Sequence, residues 1–381
     1  MSSRRRARPS VSVCVLGFVV LVALVVAPLQ AQEKDARKLD RTQLAEAQAL
    51  AKLVDTAQAG QATPSDVPIT IDRYDFFRAA SGHTYVPFIL SIDSRVLANP
   101  AVSVMLRVVK KGAKPVPPKE RKAPQVTAVS DRPVNDLSDL RDLTEEERAK
   151  AQAEREKLNL APAAFEDLYF LDLKPAQAGG PARLSRAFLA EAGEYDVYLG
   201  LKERKPADKK QKPRLGVYKQ TITVPDYNGS EIVTSSLVLA DKIEPLAKPL
   251  SADQQWENPY TIGQLQIVPK VDTRFAKTQE LSVYFQIYNA ALNSAGKPDV
   301  LVEWGFYQKN ADGEKKIFTT DPTILNASTL PPQFDVAKHQ LAGGSAWPLS
   351  SFQAGDFRLE IKITDKVSGK TLTKNVSFSV S

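Results

Sequence analysis

Hydrophobic and polar residues alternate along the end of the chain. Phe357, Leu359, Ile361 and Ile363 are separated by polar or charged residues, and the alternation returns after the Ser368-Gly369 pair. Period-two alternation on both sides of a Ser-Gly turn is typical of a β-hairpin with one buried face. The pattern therefore predicts that residues 355–381 form a hairpin.

The same kinds of signal occur in the same order in both halves of the chain. The matching segments are Ile69-Thr70-Ile71 with Leu265-Gln266-Ile267, Val86-x-Phe88-x-Leu90 with Val283-x-Phe285-x-Ile287, Ala178-Gly179-Gly180 with Ala342-Gly343-Gly344, and Ala192-Gly193-Glu194-Tyr195 with Ala354-Gly355-Asp356-Phe357. Short alternating segments separated by turn residues are typical of antiparallel sandwiches. We therefore expect a mainly β protein of two tandem immunoglobulin-like antiparallel sandwiches, related by duplication.

The offset between the halves changes inside the first copy. It is 198 residues between Val102 and Val300 but 162 between Tyr195 and Phe357. The first copy therefore carries an insertion, at about residues 110–164, that is basic and proline-rich at its start and then contains a helix capped by Thr144. The predicted domains are sandwich 1 at 65–228, an interdomain segment at 229–262 that could lend an edge strand to a neighbour, and sandwich 2 at 263–381. Pro87 has no N–H to donate, which predicts an edge position for its strand or a late strand start.

The N-terminus has the three parts of an export signal. Four arginines precede the apolar run at residues 11–27, and Leu29-Gln30-Ala31 resembles a cleavage site, so we expect a signal peptide at 1–31. An uncleaved membrane anchor is the alternative. Removal of these four arginines, with no acids, lowers the formal charge from +7 to +3 and leaves no cysteine, because Cys14 is the only one. These features predict a periplasmic or secreted protein, and residues 32–64 are expected to be a helical or flexible leader.

The β positions also resemble those of a known group of exported proteins. The run Val283-Tyr284-Phe285-Gln286-Ile287-Tyr288-Asn289, within residues 235–290, and the closing hairpin are similar to the β-sandwich portion of exported bacterial proteins that carry a GWxTD motif and are common in Acidobacteria. The Gly-Trp pair of that motif is absent from this chain. The resemblance implies an exported sandwich protein.

The sequence contains few residues that could perform catalysis or bind a metal. Its two histidines, His83 and His339, are isolated, and the mature chain would have no cysteine, so no zinc site and no cofactor are expected. Asp312-Gly313 lies between alternating segments and predicts a hairpin turn rather than a calcium loop. No nucleophile elbow or phosphate-binding glycine loop is present.

The candidate ligand-binding residues are aromatic or basic. Trp256 and Trp347 are expected in loops, where they could form a platform for a sugar, whereas Trp304 alternates with core positions and is expected to be buried. Lys209, Lys210 and Lys212 lie in a lysine-rich loop that could bind an anionic polysaccharide or could simply be solvated. An immunoglobulin-like strand order would place this loop and the basic stretch after Lys110 at opposite ends of the sandwich.

These observations favour a non-catalytic exported protein of the cell envelope that serves binding, adhesion or assembly. The partner is unknown and could be an envelope protein or a polysaccharide. Nucleic acid is not expected, and a membrane is expected only if the signal segment is uncleaved. The alternatives are an envelope hydrolase with a site between the domains, and an anionic-glycan binder that uses the lysine-rich loops.

Overall fold

The computed structural model describes residues 41–79, 82–114, 158, 160–173, 180–204, 211–336 and 339–381. The predicted signal peptide, the capped helix of the insertion, and Lys209 and Lys210 lie outside the described residues. The elements in chain order are α1 (Arg41–Gln58), β1 (Ile69–Tyr74), β2 (Phe77–Arg78), β3 (Thr84–Ile92), β4 (Ala101–Lys110), β5 (Phe165–Asp172), β6 (Ala182–Ala190), β7 (Gly193–Glu203), β8 (Leu215–Val224), β9 (Val233–Thr234), β10 (Val238–Pro245), α2 (Ala252–Glu257), β11 (Thr261–Ile262), β12 (Leu265–Pro269), β13 (Arg274–Phe275), β14 (Glu280–Tyr288), β15 (Val300–Asn310), β16 (Gly313–Thr319), β17 (Thr323–Leu325), β18 (Leu341–Pro348), β19 (Gly355–Asp365) and β20 (Thr371–Val380).

The chain forms two compact units, and the segment between them is shared. The first sandwich takes its described residues from Val26–Gly229 and Ala247–Ile262, and the second takes them from Ser230–Leu246 and Gly263–Ser381. The segment predicted to lie between the domains is therefore split. Its first part gives β9 and β10 to the second sandwich, and its later part packs with the first.

The first sandwich has two antiparallel sheets with seven strand positions. In one sheet β1 and β2 both pair with β3, which pairs on its other side with β6. The other sheet has the order β5-β4-β7-β8. Apolar side chains from the facing sides of both sheets form one core, which includes Phe88, Leu106, Phe188 and Leu199.

The second sandwich has the same connectivity. Strands β9 and β10 pair with β14, which pairs with β18, while the facing sheet has the order β20-β19-β15 followed by β16 and β17, which both pair with β15. Further strands extend these sheets: β12 pairs with the far half of β10, and β13 pairs in parallel with β20. The fold is therefore mainly β, as predicted. In both units the fourth strand position pairs with the third, whereas in a constant-type immunoglobulin domain it pairs with the fifth.

The closing hairpin and the turn at Asp312-Gly313 are confirmed. Strands β19 and β20 pair continuously, from Gly355 opposite Val380 to Thr364 opposite Thr371. Strands β15 and β16 are joined by a turn at which Asn310 lies opposite Gly313. Gly313 has a φ of +117°, a conformation that favours glycine. The equivalent connection in the first sandwich runs from Lys110 at the end of β4 to Phe165 at the start of β5.

Helix α1 covers the outer face of the β5-β4-β7-β8 sheet. Leu50, Leu53 and Val54 pack on Met105, Val109 and Tyr198. The helix comes so close that a Cβ on Gly200 would lie 2.7 Å from a methyl group of Val54. The helix ends before Gly60, which has a φ of +74°, a common terminating conformation.

A buried arginine also joins this helix to the sheet. Arg107 is 2% exposed, its Nε donates to Glu166 Oε1 at 2.7 Å, and its Nη1 bonds with Asp55 and Gln58 of α1. Because an unpaired buried charge is costly, these partners are what allow Arg107 to lie under the helix.

Two matches between the repeats are wrong. Leu265 and Ile267 pair with β10, whereas the strand that corresponds to β1 is β9 with the start of β10. Gly343 lies within β18 opposite Phe285, whereas Gly180 precedes β6. These alternating motifs are too short to show whether a strand pairs with the central strand of its sheet, as β10 does with β14, or extends the edge of the sheet, as β12 does.

The edge position predicted from Pro87 is also wrong, because β3 lies between β1 and β6. The missing N–H of Pro87 faces the gap between β1 and β2. Strand β1 ends with Tyr74 opposite Phe88, and β2 begins with Phe77 opposite Tyr85. At that gap Asp75 N donates to the Pro87 carbonyl oxygen at 2.9 Å. The interruption therefore removes the need for the donor that proline lacks.

We predict that Leu50→Ala lowers the free energy of unfolding by about 3 kcal/mol, because it removes a fully buried side chain between α1 and the sheet. Urea denaturation followed by circular dichroism measures the change. The control is Leu292→Ala, the same truncation at a side chain that is 44% exposed, which should change stability by less than about 0.5 kcal/mol. Equal effects of the two substitutions would contradict the packing of α1 on the sheet.

Candidate functional site

The sixth strand position of each sandwich ends on a buried carboxylate. The inward side chains of β7 are apolar up to Leu201 and then comes Glu203, and those of β19 are apolar up to Ile363 and then comes Asp365. Both acids are 1% exposed. They are structurally equivalent, because Glu203 lies opposite Val102 and Asp365 lies opposite Val300 in the two corresponding strand pairs.

In the first sandwich this carboxylate holds two loops. The BC loop is defined here as the connection between the second and third strand positions, and the FG loop as that between the sixth and seventh. Glu203 Oε1 accepts the N–H groups of Ala98 and Asn99, both at 2.8 Å, in the BC loop. Its Oε2 accepts the N–H of Arg214 at 3.2 Å, in the FG loop. One side chain therefore fixes the backbone of both loops.

Asp365 does the same in the second sandwich. Its Oδ2 accepts the N–H of Ala291 in the BC loop at 2.9 Å, and the Ser368 hydroxyl of the FG loop at 2.6 Å. Its Oδ1 accepts the N–H of Val367 at 3.0 Å. Desolvation by burial opposes the charged form, but the hydrogen bonds from Ser368, Ala291 and Val367 outweigh it and lower the pKa of Asp365.

The loops held in this way differ in chemistry between the two sandwiches. In the second, Leu292 of the BC loop is 44% exposed and Val367 of the FG loop is 36% exposed. Leu292 directly follows Ala291, whose N–H binds Asp365, and Val367 binds Asp365 through its own N–H. In the first, the described exposed side chains include Arg95, Lys212 and Arg214. Both ends expose cations, since Lys366 and Lys370 of the second FG loop are exposed as well, and the second end adds the aliphatic groups of Leu292 and Val367.

Of the predicted ligand-binding residues, the structure describes Lys212, Trp347 and the backbone of Trp256. Lys212 is exposed in the FG loop of the first sandwich. Trp256 belongs to α2, which begins with a capping box between Ser251 and Gln254, and its side chain lies outside the described part of the structure. The basic stretch that begins at Lys110 leaves from the opposite end of β4 from the FG loop, as predicted, because Lys110 pairs with Tyr195 at the start of β7.

The expectation that Trp347 lies in a loop is wrong. It lies in β18, is 2% exposed, and its ring makes edge contacts with Trp304 and Phe306 at centroid distances of 5.0 Å. The face of its indole is thus part of the second core, and it is not available to stack on a sugar. Trp304 is buried, as predicted.

The titratable residues offer little support for catalysis. His339 Nδ1 accepts the N–H of Asp335 at 2.9 Å, and its ring stacks on Phe334 at 5.6 Å. His83 lies in the turn before β3, where its carbonyl oxygen accepts the N–H of Ala79. Among the described residues, no group of three or more His, Cys, Asp or Glu side chains is placed to hold a metal ion.

Another buried carboxylate, Asp75, has its oxygens occupied by neighbouring side chains. Arg73 makes a two-point contact with it, and Tyr260 of the returning segment donates to Asp75 Oδ2 at 2.9 Å. Burial, and then the charge of Asp75, raise the pKa of Tyr260 well above its ordinary value. This cluster therefore attaches residues 247–262 to the first sandwich, and Asp75 is 1% exposed.

The sequence contains a signal for Glu203 and Asp365 that lies outside the motifs described above. Each acid stands ten residues after the glycine of the Ala-Gly-acid-aromatic motif, at a position that continues the inward-facing alternation. A charged residue at an apolar position in both copies indicates a buried carboxylate that needs several donors.

The chain matches no known family and has only weak structural similarity to the known proteins described here. No protein-family model and no curated protein matches the chain. An immunoglobulin-like protein from Pseudomonas aeruginosa has 13% identity over 38% of this chain and 97% of its own, with a TM-score of 0.18. The elastase-activated alpha-2-macroglobulin of Escherichia coli has 10% identity over 84% of this chain and 35% of its own, with a TM-score of 0.20. The methylamine-reacted Salmonella alpha-2-macroglobulin has 11% identity over 84% and 17%, with a TM-score of 0.19.

Because these TM-scores are all low, the fold assignment rests on the strand pairings described above. The chain spans about a third or less of the two macroglobulins. None of the helices in the described residues is both long and apolar enough to cross a membrane.

We predict that Asp365→Asn lowers the free energy of unfolding at pH 7 by about 2–3 kcal/mol, because an amide cannot accept all the donors that the carboxylate accepts. The pKa of Asp365 is lower in the folded than in the unfolded chain, so its charge stabilises above pH ~4 and this contribution is lost as the pH falls. The difference from the unsubstituted chain should therefore shrink when urea denaturation is repeated at pH 3.

The control is Asp356→Asn, at an exposed position at the start of the same strand, which should have an effect below about 0.5 kcal/mol. A stability difference for Asp365→Asn that stays constant between pH 7 and pH 3 would show that the charge of Asp365 does not hold the loops.

Proposed function

We propose that this protein is a non-catalytic exported module of the cell envelope that binds a partner through the loop ends of its two sandwiches. The observation that carries the proposal is the equivalent pair of buried carboxylates, Glu203 and Asp365, each of which fixes a BC and an FG loop. Binding residues are disproportionately found on loops that a rigid scaffold positions, as in immunoglobulin variable domains.

The chemistry of the second loop end supports a protein partner. Leu292 and Val367 are on different loops, but Asp365 binds the N–H of Val367 and that of Ala291, the neighbour of Leu292. Single exposed aliphatic residues are ordinary on a surface. These two, however, lie on loops whose backbone is fixed by one carboxylate, and two exposed aliphatic side chains on fixed loops fit an apolar patch on an envelope protein.

The chemistry of the first loop end supports a second candidate, an anionic polysaccharide. Lys212 and Arg214 are exposed in the FG loop, and Arg95 in the BC loop is 66% exposed but is ion-paired with Asp93, so the two FG-loop cations carry the argument. Lys209 and Lys210 precede them in the sequence. Clustered cations raise the local concentration of anionic ligands, with an effect that falls as salt increases.

The export of the protein and its relation to the GWxTD-type sandwich proteins are part of this proposal. They rest on the N-terminal arginines and apolar run, and on the β positions of residues 235–290. The hydrolase alternative has no specific support from His339, whose ring nitrogen is used by the Asp335 N–H.

We predict that Leu292→Ser combined with Val367→Ser lowers recovery of the partner from envelope extract about tenfold, because two aliphatic side chains no longer become buried on binding. Recovery is measured by quantitative mass spectrometry on the tagged chain. The control pair is Val268→Ser with Ile317→Ser, at positions 43% and 37% exposed on β12 and β16. The proposal requires a protein that the control pair retains and the loop pair loses. If the two pairs recover the same proteins, the apolar loop end is not the binding surface.

For the polysaccharide candidate, Lys209, Lys210 and Lys212 are replaced by Glu. We expect this variant to elute from a heparin column at a lower salt concentration than the unsubstituted chain, because fewer counterions are displaced on binding. The matched control replaces Lys248, Lys277 and Lys315, which are exposed elsewhere, by Glu. Equal shifts for both triple variants would reflect net charge alone and would remove this candidate.

A further inference from the structure

Strand β18 lies at the edge of its sheet in the second sandwich. Strand β18 pairs along its whole length with β14, from Glu280 opposite Pro348 to Ile287 opposite Leu341. Among the described residues, no strand pairs with its other side. An edge strand presents unpaired N–H and C=O groups along that side, which can hydrogen-bond with another strand.

This edge lacks the features that usually prevent such pairing. Its sequence, from Leu341 to Pro348, is Leu-Ala-Gly-Gly-Ser-Ala-Trp-Pro, with no charged residue and with proline only at the end. Its register with β14 is continuous, without a bulge. Proteins normally protect edges with charges, proline or bulges.

The corresponding edge of the first sandwich is protected. Strand β6 occupies the same position beside β3 and carries Arg183 and Arg186. The outer strands on the opposite sheets also carry charges, including Glu166 and Asp167 in β5 and Lys315 and Lys316 in β16. Among the strands that occupy these edges, β17 also carries no charge but has only three residues, so β18 is the long uncharged edge.

We propose that β18 pairs antiparallel with β18 of a second copy of this chain, about a two-fold axis at Gly344. In this register Leu341 lies opposite Trp347, Ala342 opposite Ala346, and Gly343 opposite Ser345. Leu341, Gly343, Ser345 and Trp347 are the inward, buried positions, and Ala342, Gly344 and Ala346 are the outward, half-buried ones. The pairing keeps inward residues beside inward residues, as the pleat requires.

The side chains of β18 favour its own copy as the occupant. The outward positions carry only Ala, Gly and Ala, so no bulky group separates two strands brought together on this axis. No charge is placed against a like charge, whereas self-pairing of β6 would bring two sets of arginines together. The strand is thus complementary to itself, as a two-fold interface requires.

The glycines have a separate role inside the sandwich and are left unchanged in the test. A Cβ on Gly343 would lie 2.4 Å from the Phe285 ring, and one on Gly344 would lie 2.9 Å from the Val283 carbonyl oxygen. Substitutions there would disturb folding. Ala342 and Ala346 face outward and can be changed without filling the core.

The test is the oligomeric state of the purified chain, measured by sedimentation velocity over a concentration series. We expect a reversible dimer in the micromolar range, because one strand pair is a small interface. Ala342→Lys with Ala346→Lys places lysine opposite lysine at two points of the interface and should raise the dissociation constant about tenfold. Ala342→Glu with Ala346→Lys places each glutamate opposite the other copy's lysine and should restore the dimer.

Two controls separate pairing from folding. Ser185→Lys, on the corresponding strand of the first sandwich, should leave the dimer unchanged. The thermal unfolding midpoints of the two charged variants should agree within a few degrees, since both place charges at the same two positions. A monomeric unsubstituted chain, a dimer that survives the double lysine change, or failure of the glutamate–lysine variant to dimerise would each overturn the proposal.

A cross-linking experiment checks the register independently of stability. In a chain with Cys14→Ser, which has no other cysteine, Ala342→Cys and Ala346→Cys are introduced into separate preparations. Oxidation of the mixture should give a disulfide dimer between the two variants, because the two positions lie opposite each other, and each variant alone should give much less. Equal cross-linking in all three samples would exclude the proposed axis.

Discussion

The pairing of the third strand with the sixth is the contact on which both sandwiches depend. In β4–β7 and in β15–β19, apolar side chains from both strands face the other sheet along nearly the whole length of the pair. The last inward position is then a carboxylate, Glu203 or Asp365. The same strand pair thus builds the core by burial of apolar surface and, at its end, fixes the loops by hydrogen bonds to a buried charge.

The two sandwiches share connectivity but differ on their outer faces. On the first, Met105, Arg107 and Tyr198 lie under α1, and the close approach of Val54 requires a glycine at position 200. On the second, the face equivalent to this one carries ion pairs between strands, such as Lys362 of β19 with Glu303 of β15 and Arg358 of β19 with Glu314 of β16. The inward face is constrained by the shared core, whereas the outward face is free to acquire a helix or a solvated surface.

Differences in function between the two units are therefore expected outside the core. The loop ends are held by equivalent acids and both expose cations, but among the described residues only the second adds the exposed aliphatic groups of Leu292 and Val367. The edges are also different, because β6 carries arginines and β18 carries no charge. These surfaces use the same scaffold for different contacts, which is how a duplicated sandwich can gain a partner without a change of fold.

The sequence alone determined the mainly β class, the closing hairpin, the turn at Asp312-Gly313 and the burial of Trp304, because alternation with period two depends on each strand's own residues. The partners of strands that are distant in sequence, and the exposure of residues outside a clear alternation, could not be obtained in this way. The segment with Leu265 and Ile267 has the same alternation as β9 and β10, although it pairs with a different strand. Trp347 is distinguished from a loop residue only by its place in β18. Pro87 fits a central strand because the neighbouring strand is interrupted opposite it. Only the tertiary structure decides these points, because hydrogen-bond partners and burial depend on residues far away in the chain.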